Sequence, residues 1–195
     1  MSSLAGRFVA AVAKLSIKLQ EGSSQMPTSQ NNPIAEIPLL RELRFIASDT
    51  LMDSLQSVLV DLIELNLQGK QAHWNVVGPN FRDVHRQLDV IVSTARDAAD
   101  GVAERMRAVG GVPDGLSSTV VETTGLRAYP RGELTTRQTI DLISERIYTT
   151  VANARAVHSA VDDEDPVSAD LLNGMIAQLE QHAWLLSSEN RTPSL

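Results

Sequence analysis

Apolar side chains recur every three or four positions over four long stretches of the chain, which is the period of an amphipathic α-helix. In the first stretch the apolar stripe consists of Leu51, Leu55, Val58, Leu59, Leu62, Ile63 and Leu65. The pattern, read together with residues suited to helix caps and first turns, predicts four long helices. They extend from Ser48 or Asp49 to about Asn75, from about Asn80 to Val109, from Thr135 or Thr136 to the acidic run 162–165, and from Pro166, capped by Asp165, to about Asn190.

A connection of about 25 residues separates the second predicted helix from the third, and a connection of this length in a compact domain usually serves a purpose. It holds the helix breakers Pro113, Gly115, Gly125, Pro130 and Gly132. We expect one short helix within it, at 118–123, while the pair Val120-Val121 is too short to build a sheet. Two helical hairpins joined by one long crossover predict an all-α, ferritin-like four-helix bundle over 48–190.

The segments outside the bundle are an N-terminal tail, 1–47, and a short C-terminal tail, 191–195. Within the first, Ser3–Leu19 has the pattern of a short amphipathic helix, and 20–33 is a polar linker. Its basic residues Arg7, Lys14 and Lys18 suit contacts with DNA phosphates. The alternative is a tail that packs on the bundle or between subunits, which the apolar stretch 8–13 favours.

Composition limits the classes of function. The chain of 195 residues has no cysteine, which excludes disulfide scaffolds, thiolate zinc sites and cysteine nucleophiles. The formal net charge of −7 argues against a globular surface built for nucleic-acid phosphates. No apolar run reaches the roughly 18 residues of a membrane span, and 8–13 is too short for the core of a signal peptide. We therefore expect a cytoplasmic protein.

The second predicted helix presents two pairs of potential metal ligands on one face. His85 and Asp89 are four residues apart, and Asp100 and Glu104 repeat that spacing. At about 100° per residue, the interval from Asp89 to Asp100 leaves the two pairs offset by only about 20°. All four side chains therefore share one stripe, and the combination of imidazole and carboxylate suits Fe(II), Zn(II) or Mn(II).

One metal ion cannot contact both pairs within one chain, because Asp89 and Asp100 are about 16 Å apart along the helix. If two copies of the helix pack antiparallel about a two-fold axis, the His85 end of one copy meets the Glu104 end of the other, and the dimer holds two equivalent sites. His73 is expected at the His85 end, because the two residues lie on either side of the same turn. Spacing alone leaves open the alternative of a solvated charged face.

The residues around these ligands resemble the signature of the Dps family, the DNA-binding proteins from starved cells, and most closely its actinobacterial members. They are His73-Trp74-Asn75-Val76-Val77-Gly78-Pro79-Asn80-Phe81, then His85, Asp89, Asp100 and Ala103-Glu104-Arg105. The resemblance covers about 48–190 and includes Trp184. It implies that His73, His85 and Asp89 bind iron from one subunit, with Asp100 and Glu104 supplied by the two-fold mate. It also implies that Trp74 intercepts stray oxidising equivalents, although packing at the helix end is the alternative.

The resemblance further implies a hollow shell of twelve subunits that oxidises Fe(II), preferably with hydrogen peroxide, and stores the ferric product, thereby protecting DNA from oxidative damage. Iron would be both the substrate and the bound metal. The acidic run 162–165 and Asp170 occupy the place of the family's negatively charged three-fold pores, so Asp165 or Asp170 is expected to line a pore. The alternative is that Asp165 only caps the last helix.

Two other functions are compatible with a four-helix bundle. Larger ferritins of 24 subunits hold iron within one bundle through a Glu-x-x-His motif on two helices. This chain contains no Glu-x-x-His sequence, which argues against that class. The second rival is a nucleoid protein whose main role is to compact DNA through its N-terminal tail. The complete ligand set favours the ferroxidase, although DNA binding can coexist with it.

Overall fold

The computed structural model describes residues 44–193, so the expected tail helix Ser3–Leu19, with Arg7, Lys14 and Lys18, lies outside the described residues. The elements, in chain order, are α1 (Asp49–Asn75), β1 (Val76–Val77), α2 (Phe81–Ala108), α3 (Ser117–Thr123), β2 (Leu134–Thr135), α4 (Thr136–Glu164) and α5 (Pro166–Ser188). The four long helices and the short crossover helix are confirmed, with ends within two residues of the predicted ones. No helix in the described range is long and apolar enough to cross a bilayer.

Side-chain caps explain where three of the long helices begin. The Ser48 hydroxyl accepts a hydrogen bond from the backbone N–H of Leu51 at the start of α1. Thr135 and Gln138 form a reciprocal capping box at the start of α4. Asp165 caps α5, whose first residue is Pro166. Each cap satisfies backbone donors that the first helical turn leaves without partners.

The bundle consists of two antiparallel hairpins, α1 with α2 and α4 with α5, packed against each other around one core. The core contains side chains from all four long helices, and the largest fully buried ones are Leu51, Leu55, Leu62, Leu65, Leu88, Ile91, Met106, Ile143, Ile147, Leu172, Leu179 and Leu186. Helices of 23 to 29 residues at helical apolar spacing are expected to pack in this way.

Two sets of contacts that the sequence did not indicate attach the crossover to the bundle. Strands β1 and β2 form a parallel bridge, Val76 beside Leu134 and Val77 beside Thr135, which ties the end of α1 to the start of α4. The buried carboxylate of Asp61 on α1 accepts hydrogen bonds from the crossover at Thr124 Oγ1 (2.8 Å) and at the Gly125 N–H (2.7 Å). These contacts hold the long connection against α1.

Candidate metal centre

His73, His85 and Asp89 come together at the turn between α1 and α2. His73 is in the last turn of α1, while His85 and Asp89 are one turn apart near the start of α2. One ligand atom from each of the three lies within 4.8 Å of the others. His73 is buried, His85 is half-buried and Asp89 is exposed, so the cluster opens toward solvent. The prediction that His73 joins the His85 end of the helix is confirmed.

The two imidazole rings hold each other through reciprocal hydrogen bonds to the backbone. His73 Nδ1 lies 3.0 Å from the carbonyl oxygen of His85, and His85 Nδ1 lies 3.0 Å from the carbonyl oxygen of His73. The rings are stacked, with centroids 3.7 Å apart. Because a carbonyl oxygen only accepts, each Nδ1 carries the proton and each Nε2 keeps a lone pair for a metal. The hairpin thus sets both tautomers before a metal binds.

Lys70 contacts Asp89, and the spacing of the candidate ligands along α2 did not predict this contact. Its Nζ donates to Asp89 Oδ1 across 2.6 Å. That hydrogen bond is the main reason the pKa of the Asp89 carboxyl falls below its ordinary value, and the nearby imidazoles add to the effect while desolvation opposes it. Lys70 lies three residues before His73, so both face the same side of α1. This three-residue spacing is the sequence feature from which the position of Lys70 beside His73 could have been predicted.

Asp100 and Glu104 lie further along α2 and do not join the cluster. Both are exposed, and among residues 44–193 neither carboxylate has a hydrogen-bond or ion-pair partner. The metal-binding group found in that range contains His73, His85 and Asp89 alone. This separation agrees with the distance of about 16 Å along α2 between Asp89 and Asp100. Within one chain, therefore, the cluster at the turn between α1 and α2 is separate from the carboxylates of Asp100 and Glu104 further along α2.

Comparison with known proteins identifies the family. Residues 52–192 match the ferritin-like domain family. The chain is 35% identical over 146 residues to a DNA protection during starvation protein of Agrobacterium fabrum, covering 73% of this chain and 88% of that protein. The protein of the same name from Mycolicibacterium smegmatis is 33% identical over 140 residues, covering 72% and 76%. This chain belongs to the Dps family.

Solved Dps structures have the same bundle. The chain superposes on Dps from Microbacterium arborescens with a TM-score of 0.70 at 31% identity, covering 74% of this chain and 97% of that one. DpsA14 from Streptomyces coelicolor gives a TM-score of 0.70 at 34% identity, with 73% and 84% covered. A fine tangled pili major subunit of Haemophilus ducreyi is 40% identical over 134 residues, covering 69% of this chain and 71% of that protein. The ferritin-like bundle expected from the connectivity is thereby shown.

Trp74 is highly exposed in this Dps chain, at 70% of its surface, so it does not pack within the subunit. It follows His73 directly and lies at the same end of the bundle. Phe81, also partly exposed, has its ring centroid 5.1 Å from that of His85. Exposed aromatic side chains beside an open metal cluster are available to a second subunit or to oxidising equivalents released there, and the role of Trp74 stays a prediction.

The two acidic residues expected at a Dps pore have different surroundings. Asp165 is buried, and its Oδ2 accepts hydrogen bonds from Ser168 and from Arg105 Nη2, the latter at 2.7 Å. Burial alone raises the pKa of Asp165, but these hydrogen bonds and the Arg105 charge outweigh it and hold the pKa below its ordinary value. Asp165 caps α5 and its carboxylate is engaged inside the subunit, and its pore role stays a prediction. Asp170 is exposed, and its pore role stays a prediction.

Proposed function

We propose that this protein oxidises Fe(II) at centres shared between two subunits of a closed shell of twelve chains and stores the ferric product inside. The supporting observation is the division of the ligands along α2. His73, from the end of α1, forms an open half-site with His85 and Asp89 of α2. Further along α2, the carboxylates of Asp100 and Glu104 have no partner among the described residues. An antiparallel two-fold contact between α2 helices would complete both half-sites at once.

The donor chemistry fits ferrous iron. Two imidazole nitrogens and one carboxylate with open positions form the set typical of non-haem Fe(II) proteins. The fixed tautomers of His73 and His85 leave both Nε2 atoms free for iron, and Asp89 adds a negative charge. Asp100 and Glu104 of the mate would add two further carboxylates, which stabilise Fe(III) more than Fe(II) because electrostatic attraction grows with the charge of the ion.

Hydrogen peroxide is the proposed oxidant. Each of two Fe(II) ions gives up one electron, the O–O bond breaks, and two protons complete two molecules of water. The paired transfer releases no hydroxyl radical, and the ferric ions hydrolyse to a mineral within the shell. Removing Fe(II) and peroxide together would protect DNA, in keeping with the names of the curated relatives. A Dps structure described as a high iron form is among the structures similar to this chain.

Complementation between two inactive variants tests the shared centre. One variant replaces His73 and His85, and the other replaces Asp100 and Glu104. Shells co-assembled from equal amounts should regain about one quarter of the unaltered sites, because a complete site needs its imidazoles from one variant and its carboxylates from the other. Asp97→Asn, which removes another exposed carboxylate of α2, is the matched control and should oxidise Fe(II) normally.

Mixed shells that contain both variants but regain no peroxide-dependent oxidation would refute the shared centre. Native mass spectrometry tests the assembly, with a particle of twelve chains as the expected result. A stable monomer, a 24-mer or an open filament would contradict the closed shell, and the filament would instead support the role named by the Haemophilus relative.

DNA binding is a second proposed activity, supported by the names of the curated relatives and by Arg7, Lys14 and Lys18 in the tail. A gel-shift series in rising salt tests it, because phosphate contacts weaken steeply as salt increases. Retention of DNA in low salt, lost on deletion of 1–47, is the expected result. No shift at any salt concentration would leave iron oxidation as the activity that protects DNA.

A further inference from the structure

Helices α1 and α2 approach each other closely at Gly69, one helical turn from His73. Gly69, on α1, is buried against Val92 of α2. A Cβ atom placed on Gly69 would lie 2.7 Å from Cγ2 of Val92, a distance that real Cβ atoms essentially never show. Beside this contact, Asn66 Nδ2 donates to the carbonyl oxygen of Val92 across 3.2 Å. Glycine is therefore the residue that permits this spacing between the two helices.

Val92 has little freedom to move aside. It is buried within α2, and a valine in a helix has one strongly preferred side-chain rotamer. The atom that meets the added methyl group belongs to a short branched side chain rather than to the end of a flexible one. A methyl group at Gly69 must therefore push α1 and α2 apart locally, since close-packed interiors transmit such strain.

The contact between Gly69 and Val92 lies next to the residues that join α1 to α2 at the proposed half-site. Gly69 is adjacent to Lys70 and one turn before His73, and Val92 is three residues after Asp89. Four short contacts join the helices here: the Lys70–Asp89 pair at 2.6 Å, the approach of His73 Nδ1 to Asp89 Oδ1 at 3.3 Å, and the two imidazole–carbonyl contacts at 3.0 Å. Separation of the helices would lengthen these contacts together. The metal ligands come from both helices, so their convergence depends on the same spacing.

We infer that Gly69 is a positioning residue of the ferroxidase centre: by lacking a side chain it lets α1 approach α2, so that His73 meets His85 and Asp89 in metal-binding geometry. The inference rests on the proposed function and assigns Gly69 a role in the site rather than in the general stability of the bundle. Alanine is favoured over glycine within a helix, so the helix propensity of the new residue would stabilise α1 and would not by itself disturb the site. Loss of the site would thus come from the contact with Val92.

The test compares Gly69→Ala, Val92→Ala and the double variant Gly69→Ala/Val92→Ala in assembled shells. Two measurements are made: the initial rate of peroxide-dependent Fe(II) oxidation, and binding of Co(II) followed by its visible absorption spectrum, which reports ligand geometry. Gly69→Ala should slow oxidation by about tenfold or more, because an ångström of misplacement is costly in a catalytic site. It should also weaken Co(II) binding and alter the spectrum. The double variant should restore both, because Val92→Ala removes the methyl groups that the new side chain meets.

Gly174→Ala is the matched control. Gly174 lies on α5, and a Cβ atom there would meet nothing within 4 Å. The same substitution at Gly174 should leave oxidation and the Co(II) spectrum unchanged. Thermal unfolding of all variants separates a shift in stability from a change in the site, because a merely structural role would not change the spectrum of shells that remain folded.

Unaltered oxidation and an unaltered Co(II) spectrum in Gly69→Ala shells would overturn the inference. Loss of activity that the double variant fails to restore would overturn it too, since the damage would not arise at Val92. If Gly69→Ala alone fails to assemble into shells, the double variant provides the test. Intact double-variant shells with normal oxidation would support the inference about Gly69 and Val92, and intact shells without oxidation would contradict it. Failure of the unaltered protein to oxidise Fe(II) would instead refute the proposed function.

Discussion

Under the proposed function, Lys70 competes with the metal for Asp89, and its replacement should tighten metal binding. The ammonium group lies 2.6 Å from Asp89 Oδ1, one of the two carboxylate oxygens that Asp89 offers to a cation. A metal ion that binds through this oxygen has to displace the ammonium group. Lys70→Met keeps most of the length of the side chain and removes the charge, so it separates the competition from simple loss of packing.

The size of the effect follows from the geometry. Two unit charges at this distance in a water-like dielectric attract by about 1.6 kcal/mol, and measured exposed ion pairs contribute about 0.2–1 kcal/mol. The side chains of Lys70 and Asp89 are 35% and 51% exposed, which places the pair in the exposed class. Removal of the competitor should therefore lower the Kd for Co(II) by a factor of about 1.4 to 5.

Titration of assembled shells with Co(II) at neutral pH, in low and in high salt, measures this change. The gain should shrink as salt screens the ion pair. Arg86→Met is the matched control, because it removes an exposed cation next to His85 that has no recorded contact with Asp89. Weaker Co(II) binding in Lys70→Met would refute the reasoning and make Lys70 a supporting residue of the site. Equal tightening in both variants would mean that overall charge, not competition at Asp89, governs affinity.

Three further predictions concern the tail and two buried carboxylates. Deletion of 1–47 should leave peroxide-dependent oxidation intact, since every proposed ligand lies after Ser48; an intact truncated shell without oxidation would contradict this. Asp61→Ala should lower the free energy of unfolding, measured in urea, by about 3 kcal/mol, because Thr124, Gly125 and Asn153 lose their acceptor; a loss under about 0.5 kcal/mol would show that water replaces the carboxylate. Asp165 has a folded pKa below its ordinary 3.8, so its contribution is present above that pH and is lost as pH falls through the lower folded value. The difference in unfolding free energy between the unaltered protein and Asp165→Asn should therefore shrink below about pH 4, and a difference that grew toward acid would contradict the Arg105 pairing.

The helices and the ligand pairs follow from the sequence because both depend on local geometry. An α-helix fixes the angle between residues four apart, so His85 and Asp89 must share a face once the apolar period establishes the helix. The same rise per residue separates them from Asp100 and Glu104 in any structure that keeps α2 intact. The short turn at Gly78 then brings His73 to the height of His85. None of these conclusions required the rotation of the packed helices or the distance between them to be known.

The remaining features depend on how the helices are rotated and spaced. The histidine tautomers are set by backbone carbonyl oxygens, which every residue possesses and which leave no pattern in a sequence. Bridge β1–β2 is two residues long on each side, too short for an alternating pattern. The pairing of Asp165 with Arg105 depends on the position of the neighbouring helix α2, which the sequence around Asp165 does not indicate.

The sequence by itself determined that His85, Asp89, Asp100 and Glu104 share one stripe of α2 and that its two pairs lie too far apart for one metal ion, because helix periodicity and rise are properties of the local backbone. Tertiary structure alone decided that Lys70 pairs with Asp89 and that Gly69 lies against Val92 where α1 and α2 meet. These are contacts between residues about twenty positions apart in the chain, and they exist only where close packing brings one helix against another.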